Sequence, residues 1–266
     1  MGINPNILTP EGWHAAMAAM LWQIDLGVTE ITGESSVDRY TLPETLKPVA
    51  VAVKSAPVVA MVQPQTDAVA VARAAAAAAG TLEALHEAMA AFDLCDLKRG
   101  AKNTVFADGN PAARVLILGE APDRDEDMEG RPFVGRAGQL LDRMFAAIGL
   151  DRSSPDPETA LYITNAMPWR PPQNRDPDAD ELAMMRPFVE RHIALVDPAL
   201  IVVMGNTPCQ CLLGKQGILR LRGNWAEALG RPVLPMAHPA YLLRTPAAKR
   251  EAWGDLLSLK ARLGRT

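Results

Sequence analysis

Cysteine is scarce in this chain. Its 266 residues hold only Cys95, Cys209 and Cys211, too few for a disulfide framework and odd in number, so one thiol must stay unpaired. That usage points to a reducing compartment, and a cytoplasmic location is expected. A basic excess is missing as well. The formal net charge is −4 and the pI is near 5.6, which argues against nucleic acid held by bulk positive charge. No stretch reaches the ~18 uninterrupted apolar residues of a membrane span. The apolar stretch 15–26 lacks a basic lead-in and is broken by Gln23 and Asp25, so no targeting signal is expected. After Met1-Gly2, Asn6 stands where a myristoylation site wants Ser or Thr. A Gly-x-x-x-x-Gly-Lys loop and clustered metal ligands are absent too, which leaves little support for an unrelated nucleotide or phosphoester hydrolase.

What is present is globular: 48% hydrophobic and 22% charged, with length for one to two domains and a core that needs no staples. Charge is unevenly spread. Residues 1–90 hold four Lys/Arg against nine Asp/Glu, and residues 214–266 hold ten against three. An anionic ligand would therefore be steered to the C-terminal fifth. In residues 1–40, Trp13, Met17, Met20, Leu21 and Ile24 recur at helical spacing after Thr9-Pro10-Glu11, which predicts a small docked helix. Residues 41–80, punctuated by Pro43, Pro48, Pro57 and Pro64 and ending in the alanines 74–79, read as a mobile linker with room for a short Ala-rich helix. The main globular domain is expected over 81–266.

From Phe92 onward, short apolar runs at 115–118, 161–164, 200–204 and 233–236 suit strands buried on both faces. Helical patterns at 139–148, 180–195 and 209–213 lie between them. Alternation of this kind predicts a parallel α/β sheet, whose ligands bind beyond the carboxyl ends of the strands. The segments following the strands are Gly119-Glu120-Ala121-Pro122-Asp123 and its continuation to Gly138, then Asn165 with Arg170-Pro171-Pro172-Gln173-Asn174-Arg175, then Gly205-Asn206-Thr207, then His238-Pro239-Ala240-Tyr241-Leu242-Leu243-Arg244. The third looks like a helix entry whose free N–H groups suit phosphate.

Those residue types permit one particular chemistry. Phe133, read as an exposed aromatic, could stack a flat heterocycle, and the Asn165 amide could read its edge with one donor and one acceptor. His238 could stabilise charge developing on a carbonyl oxygen of a leaving base. Glu120 could activate water or stabilise a cationic sugar. Taken singly, each has a plainer reading: a cap or ion pair for Glu120, a turn cap for Asn165, a loop histidine, a core phenylalanine. Their joint placement on one rim favours cleavage of an N-glycosidic bond.

Segments 119–138, 162–175 and 238–244 resemble the three signature regions of the uracil-DNA glycosylase superfamily, closest to its family 4. The string Gly130-Arg131-Pro132-Phe133-Val134-Gly135-Arg136-Ala137-Gly138-Gln139-Leu140-Leu141-Asp142 is long and specific, and the likeness spans about 93–260. The resemblance implies a three-layer α/β/α fold around a central four-stranded parallel sheet, and removal of uracil after the nucleotide is flipped out of the stack. It implies Glu120 as the water-positioning acid and His238 as stabiliser of the uracil anion. Ala121, Asp123, Glu126, Phe133 and Asn165 would line the base pocket, with Glu126 helping to exclude thymine. Leu242 and Leu243 match a hydrophobic wedge, and Arg170, Arg175, Asn206 and Arg244 would meet the DNA backbone.

The chain also departs from that pattern. Family 4 members look like iron–sulfur proteins with four Cys ligands, but the first expected pair reads Phe92-Asp93-Leu94-Cys95, the next position is Trp169, and the last falls near Met184 and Met185. One thiolate cannot hold such a cluster, so no iron–sulfur centre and no metal are expected, with Phe92, Trp169 and a Met packing in its place. Asp123 stands where family 4 usually has Gly. No basic insertion with an extra His lies between Asn165 and Arg170, which argues against a DNA-trapping branch, and the matched motifs offer no lysine nucleophile for strand cleavage. The expected activity is a monofunctional glycosylase acting on uracil in single- or double-stranded DNA. The alternatives are altered specificity (hypoxanthine, xanthine or mispaired bases) or a non-catalytic damaged-DNA binding module. A monomer is expected, and the N-terminal segment is a candidate arm for repair or replication partners.

Overall fold

A computed structural model describes residues 67–264, together with His14, Met17, Ala18, Leu21, Trp22 and Gln23. The chain divides into a unit of residues 1–61 and a unit of residues 62–266. In the first, the six described residues are helical and exposed. The rest of the predicted N-terminal helix, and residues 41–66 of the predicted linker, lie outside the described residues.

In the second unit the short Ala-rich helix for which the linker had room is formed. Ala68–Ala78 is a helix, α1, capped by Asp67, whose Oδ1 accepts from Ala70 N at 3.0 Å. Alanine has the highest helix propensity, and its small side chain lets helices approach closely. Ala72 and Ala76, one turn apart, are buried, and the Arg191 Nε of a later helix donates to Ala79 O at 2.8 Å. Leu82–Ala91 forms α2, with Leu85 and Met89 buried one turn apart.

The sheet follows. Its strands are β1 (Ala107–Gly109), β2 (Val115–Gly119), β3 (Leu161–Asn165), β4 (Leu200–Met204), β5 (Ala226–Ala228) and β6 (Arg231–Met236), in the order β1-β3-β2-β4-β6-β5. The four central strands are parallel, as expected. The six-stranded whole is mixed, because β1 and β5 pair antiparallel at the two edges. Alternation along each central strand sends successive side chains to opposite faces. Leu116, Leu118, Ile201 and Val203 join one apolar cluster, and Val115, Ile117, Leu200 and Val202 join the other.

Helices α3 (Arg124–Glu129), α4 (Arg136–Ala146), α5 (Ala179–Val196), α6 (Asn206–Leu213), α7 (Ile218–Leu221), α8 (Pro239–Arg244) and α9 (Lys249–Leu263) complete the chain. Leu182, Met185, Phe188 and Cys209 from α5 and α6 cover the first face, and Leu141, Phe145, Leu256 and Leu259 from α4 and α9 cover the second. No described helix is long and apolar enough to cross a membrane. From β2 the chain crosses first to β3 on one side and later to β4 on the other, so the switch of direction, where a crevice opens in such sheets, falls at the carboxyl end of β2.

Candidate active site

Glu120 leaves β2 at that switch point. Its Oε1 accepts the Asn206 N–H at 2.9 Å, and the Thr207 N–H also binds the carboxylate. Burial raises its pKa, and these two N–H groups oppose the rise. Gly205 makes the contact possible: at φ 103°, it lies where a Cβ would sit 2.2 Å from Glu120 Oε1. The helix entry read as a phosphate site is therefore occupied from within. The Asn206 side chain is also committed, its Oδ1 accepting from Gly217 N at 3.1 Å and Ile218 N at 2.9 Å.

Asn165 ends β3 directly beside Gly119. It is buried, and its Nδ2 finds no hydrogen-bond partner in the protein. An orphaned buried donor costs ~1–3 kcal/mol, so the amide is set for a partner that the folded chain does not provide. Phe133 converges on the same spot. A Cβ on Gly119 would lie 2.3 Å from Asn165 Oδ1 and 2.5 Å from Phe133 Cε2. The ring is 3% exposed, not the exposed aromatic expected, because it packs into the second apolar cluster and against His238, with ring centroids 5.4 Å apart and planes at 30°.

His238 caps α8, its Nδ1 accepting from Ala240 N at 3.2 Å. That bond puts the ring proton of the neutral imidazole on Nε2. Burial, then Arg244, pushes the pKa down to about 4, so the ring is neutral at pH 7.

The loop carrying Phe133 is tightly built. Glu126 is buried, and its pKa is pushed up to about 8 by burial and by Asp123. Its Oε1 accepts from Phe133 N at 2.9 Å and its Oε2 from Asp123 N at 3.3 Å. Asp123 Oδ1 in turn accepts from Asp125 N and Glu126 N, a reciprocal capping box on α3. Both acids expected at the base pocket thus have backbone duties. Phe133 sits at φ 53°, a strained conformation for a bulky residue worth ~1–3 kcal/mol. Gly138 yields space for it, since a Cβ there would meet Phe133 O at 1.7 Å. Ala121 is half-buried against the first apolar cluster.

Other expected DNA contacts divide. Arg244 is exposed and Leu243 half-buried, but Leu242 is 0% exposed and packs with Ala237 and Ala252, which removes it from the wedge. Arg170 Nε donates to Asn174 Oδ1 at 2.8 Å. Arg175 is taken: its two terminal nitrogens reach Glu181 at 2.8 and 2.5 Å. Arg152, which sequence reasoning missed, donates to Pro132 O and Phe133 O. Those partners lie 20 and 19 residues away, beyond the reach of any local motif.

The residues standing where cluster ligands were implied do not fit a cluster. Phe92, Cys95, Trp169 and Met185 are all buried in the first apolar cluster. Phe92 meets Phe188 edge-on at 5.5 Å, and Trp169 Nε1 donates to Thr104 Oγ1 at 3.2 Å. Only Cys95 offers a thiolate, and burial raises its pKa; an iron–sulfur cluster needs four such donors. Among the described residues no group of three or more His, Cys, Asp or Glu is placed to hold a metal ion.

Fold and site together define an α/β domain that closes an aromatic ring, an amide, an imidazole and a carboxylate around the carboxyl edge of its sheet. The model of the uracil DNA glycosylase superfamily matches residues 106–257, more than half of the chain, and the chain belongs to that superfamily. It is 36% identical over 180 residues to a type-4 uracil-DNA glycosylase of Sulfurisphaera tokodaii, covering 64% of this chain and 79% of that one. It is also 36% identical over 166 residues to a type-4 uracil-DNA glycosylase of Thermotoga maritima (61% and 83% covered). With that of Archaeoglobus fulgidus it shares 38% over 170 residues (60% and 82% covered).

Proposed function

We propose that this protein is a monofunctional DNA-repair glycosylase that hydrolyses the N-glycosidic bond of deoxyuridine, releasing uracil and leaving an abasic site, without an iron–sulfur cluster. The observation that carries the reading is the buried Asn165 Nδ2 without a partner, on a residue that meets the Phe133 ring at Gly119, with that ring packed against His238. A flipped uracil stacks on Phe133. Asn165 donates to a base carbonyl and accepts from the ring N–H. Cytosine offers the reverse pattern on that edge and leaves two donors facing each other. As the bond from C1′ to N1 breaks, its electron pair passes to the base, and the neutral His238 donates from Nε2 to the developing oxyanion. Glu120, held by the Asn206 and Thr207 N–H groups, stabilises the cationic sugar and orients the water that adds to C1′.

Single-turnover excision on uracil-containing oligonucleotides tests this. His238→Ala and Glu120→Ala are each expected to lose at least ~100-fold in rate, and the wild-type rate is expected to decline as pH falls through about 4, where a proton on His238 Nδ1 displaces the Ala240 N–H bond that orients the ring. Unchanged rates in both variants remove the mechanism. Asp123 serves as the cap of α3, which accounts for a carboxylate at that position and supports uracil over an altered base. A panel with hypoxanthine, xanthine and thymine checks this choice. Visible absorption near ~400 nm with stoichiometric iron after anaerobic purification would overturn the cluster-free reading. A reducing cytoplasm fits the three buried free thiols. A monomer acting on single- or double-stranded DNA, with the N-terminal segment, residues 1–40, as an arm for repair or replication partners, completes the proposal.

A further inference from the structure

Phe133 is held from both ends of its residue. Glu126 takes its N–H at 2.9 Å, and one guanidinium takes the carbonyls on either side of that N–H. Arg152 Nη1 donates to Pro132 O at 3.0 Å, and Nη2 to Phe133 O at 3.1 Å. The same group is tied to α4 through Asp142 Oδ1, 2.8 Å from Nε and 2.7 Å from Nη2, and to β1 through Asp108 Oδ2, 3.1 Å from Nη1. An arginine has five N–H donors in a rigid planar fork; here four hydrogen bonds are made, and Nη2 is also ion-paired with Asp142. The side chain is only 13% exposed, so the fork is committed to the protein and not to solvent or DNA phosphate. A lysine ammonium keeps the charge but cannot bridge two carbonyls and two carboxylates at once.

We infer that Arg152 is the positioning residue that fixes the plane of Phe133 for the base, joining the stacking ring to α4 and to the β1 edge of the sheet. The inference rests on the reading of Phe133 as the surface on which uracil stacks. Without the fork, the strained backbone of Phe133 relaxes and the ring turns, so the flipped base is bound out of line with His238 and Glu120. A displacement of about 1 Å at such a site costs up to ~100-fold in rate.

The test is a double-mutant cycle on the full-length chain. Single-turnover excision from a uracil-containing oligonucleotide is measured for wild type, Phe133→Ala, Arg152→Gln, Arg152→Lys and Phe133→Ala/Arg152→Gln. Arg152→Gln is expected to lower the maximal rate about tenfold or more, with the half-saturating concentration unchanged. Arg152→Lys should fail to rescue, and the double variant should be no slower than Phe133→Ala alone. Additive losses, rescue by lysine, or a wild-type rate in Arg152→Gln beside an impaired Phe133→Ala overturn the inference. A wild-type rate in Phe133→Ala overturns the stacking reading, and the inference with it. Should Arg152→Gln fail to fold by circular dichroism, Arg152→Lys combined with Phe133→Ala completes the same cycle, with additivity again the overturning result.

Discussion

The same four-residue device starts two helices and ends in opposite electrostatics. Asp123-Arg124-Asp125-Glu126 and Asp178-Ala179-Asp180-Glu181 each form a complete capping box, and Glu126 and Glu181 are both shielded from solvent, with Glu126 set deeper in the protein. Yet the pKa of Glu181 is lowered, chiefly by its hydrogen bonds from Arg175, while that of Glu126 is pushed up to about 8 by burial and by Asp123. The motif specifies the cap. The depth of the glutamate and what else it binds decide its charge. At α5 an arginine six residues earlier neutralises the buried carboxylate. At α3 the carboxyl's remaining capacity goes to the N–H of a strained phenylalanine, with no cation of comparable closeness. One copy is built for stability and the other holds the site in shape.

Removing the two glutamates should therefore damage different properties. Glu126→Ala orphans the N–H groups of Phe133 and Asp123, each worth ~1–3 kcal/mol when buried and unpaired. It also frees the ring, so single-turnover excision should fall by about 100-fold in protein that remains folded. Glu181→Ala should lower the melting temperature and leave the rate per folded molecule at the wild-type value. If both variants lose rate in proportion to lost stability, the contrast between the two boxes fails.

A smaller effect separates the arginines around these boxes. Arg175 is spent on Glu181, whereas Arg244 is exposed and takes no ion pair among the described residues. Arg244→Ala should weaken binding to a uracil-containing oligonucleotide uniformly across sequences and reduce the slope of log affinity against log salt by about 1. Arg175→Ala should leave that slope intact and lower the melting temperature instead. Anisotropy titrations over a salt series read both. A slope reduced by Arg175→Ala would mean that the ion pair opens to meet phosphate.

How much of this was readable in advance depended on the range of the interaction. The central strands stood out because four- and five-residue apolar runs such as 200–204 are buried on both faces, and turn residues bound them. The edge strands Ala107–Gly109 and Ala226–Ala228 are three residues of Ala, Asp, Gly and Glu, with too little side chain to leave a pattern. Helix α1 was legible only as room for a short helix at the end of a spacer: what a run of alanines does not show is that another helix packs close to it. At the site, the residue types at the strand ends were legible and their commitments were not. Nothing near Asn206 indicates that a carboxylate 86 residues earlier occupies its N–H. Nothing around Leu242 shows that the side chain turns inward to Ala237 and Ala252. Arg152 left no signal at all, since each of its partners belongs to another element.

The finest test of the two boxes is the pH dependence of stability. Glu126 binds its proton more tightly in the folded chain than in the unfolded one, where a glutamate titrates near 4.5. Its contribution is therefore whole below about 4.5 and is lost as pH rises toward about 8. Glu181 behaves oppositely, contributing above the ordinary glutamate range and losing that contribution as pH falls through its lowered value. His238, with a pKa pushed down to about 4, adds its own loss as pH falls from about 6.5 to about 4, the same in every variant that keeps it. Thermal melts of wild type, Glu126→Gln and Glu181→Gln from about pH 3 to about pH 9 separate the terms, each kcal/mol moving the midpoint by about 2–4 °C. Glu126→Gln keeps a carbonyl for the Phe133 N–H and should flatten only the limb between about 4.5 and 8. Glu181→Gln should flatten only the acid limb. A wild-type slope above pH 4.5 that persists in Glu126→Gln would show that the proton sits elsewhere, and the two capping boxes would then differ in partner but not in charge.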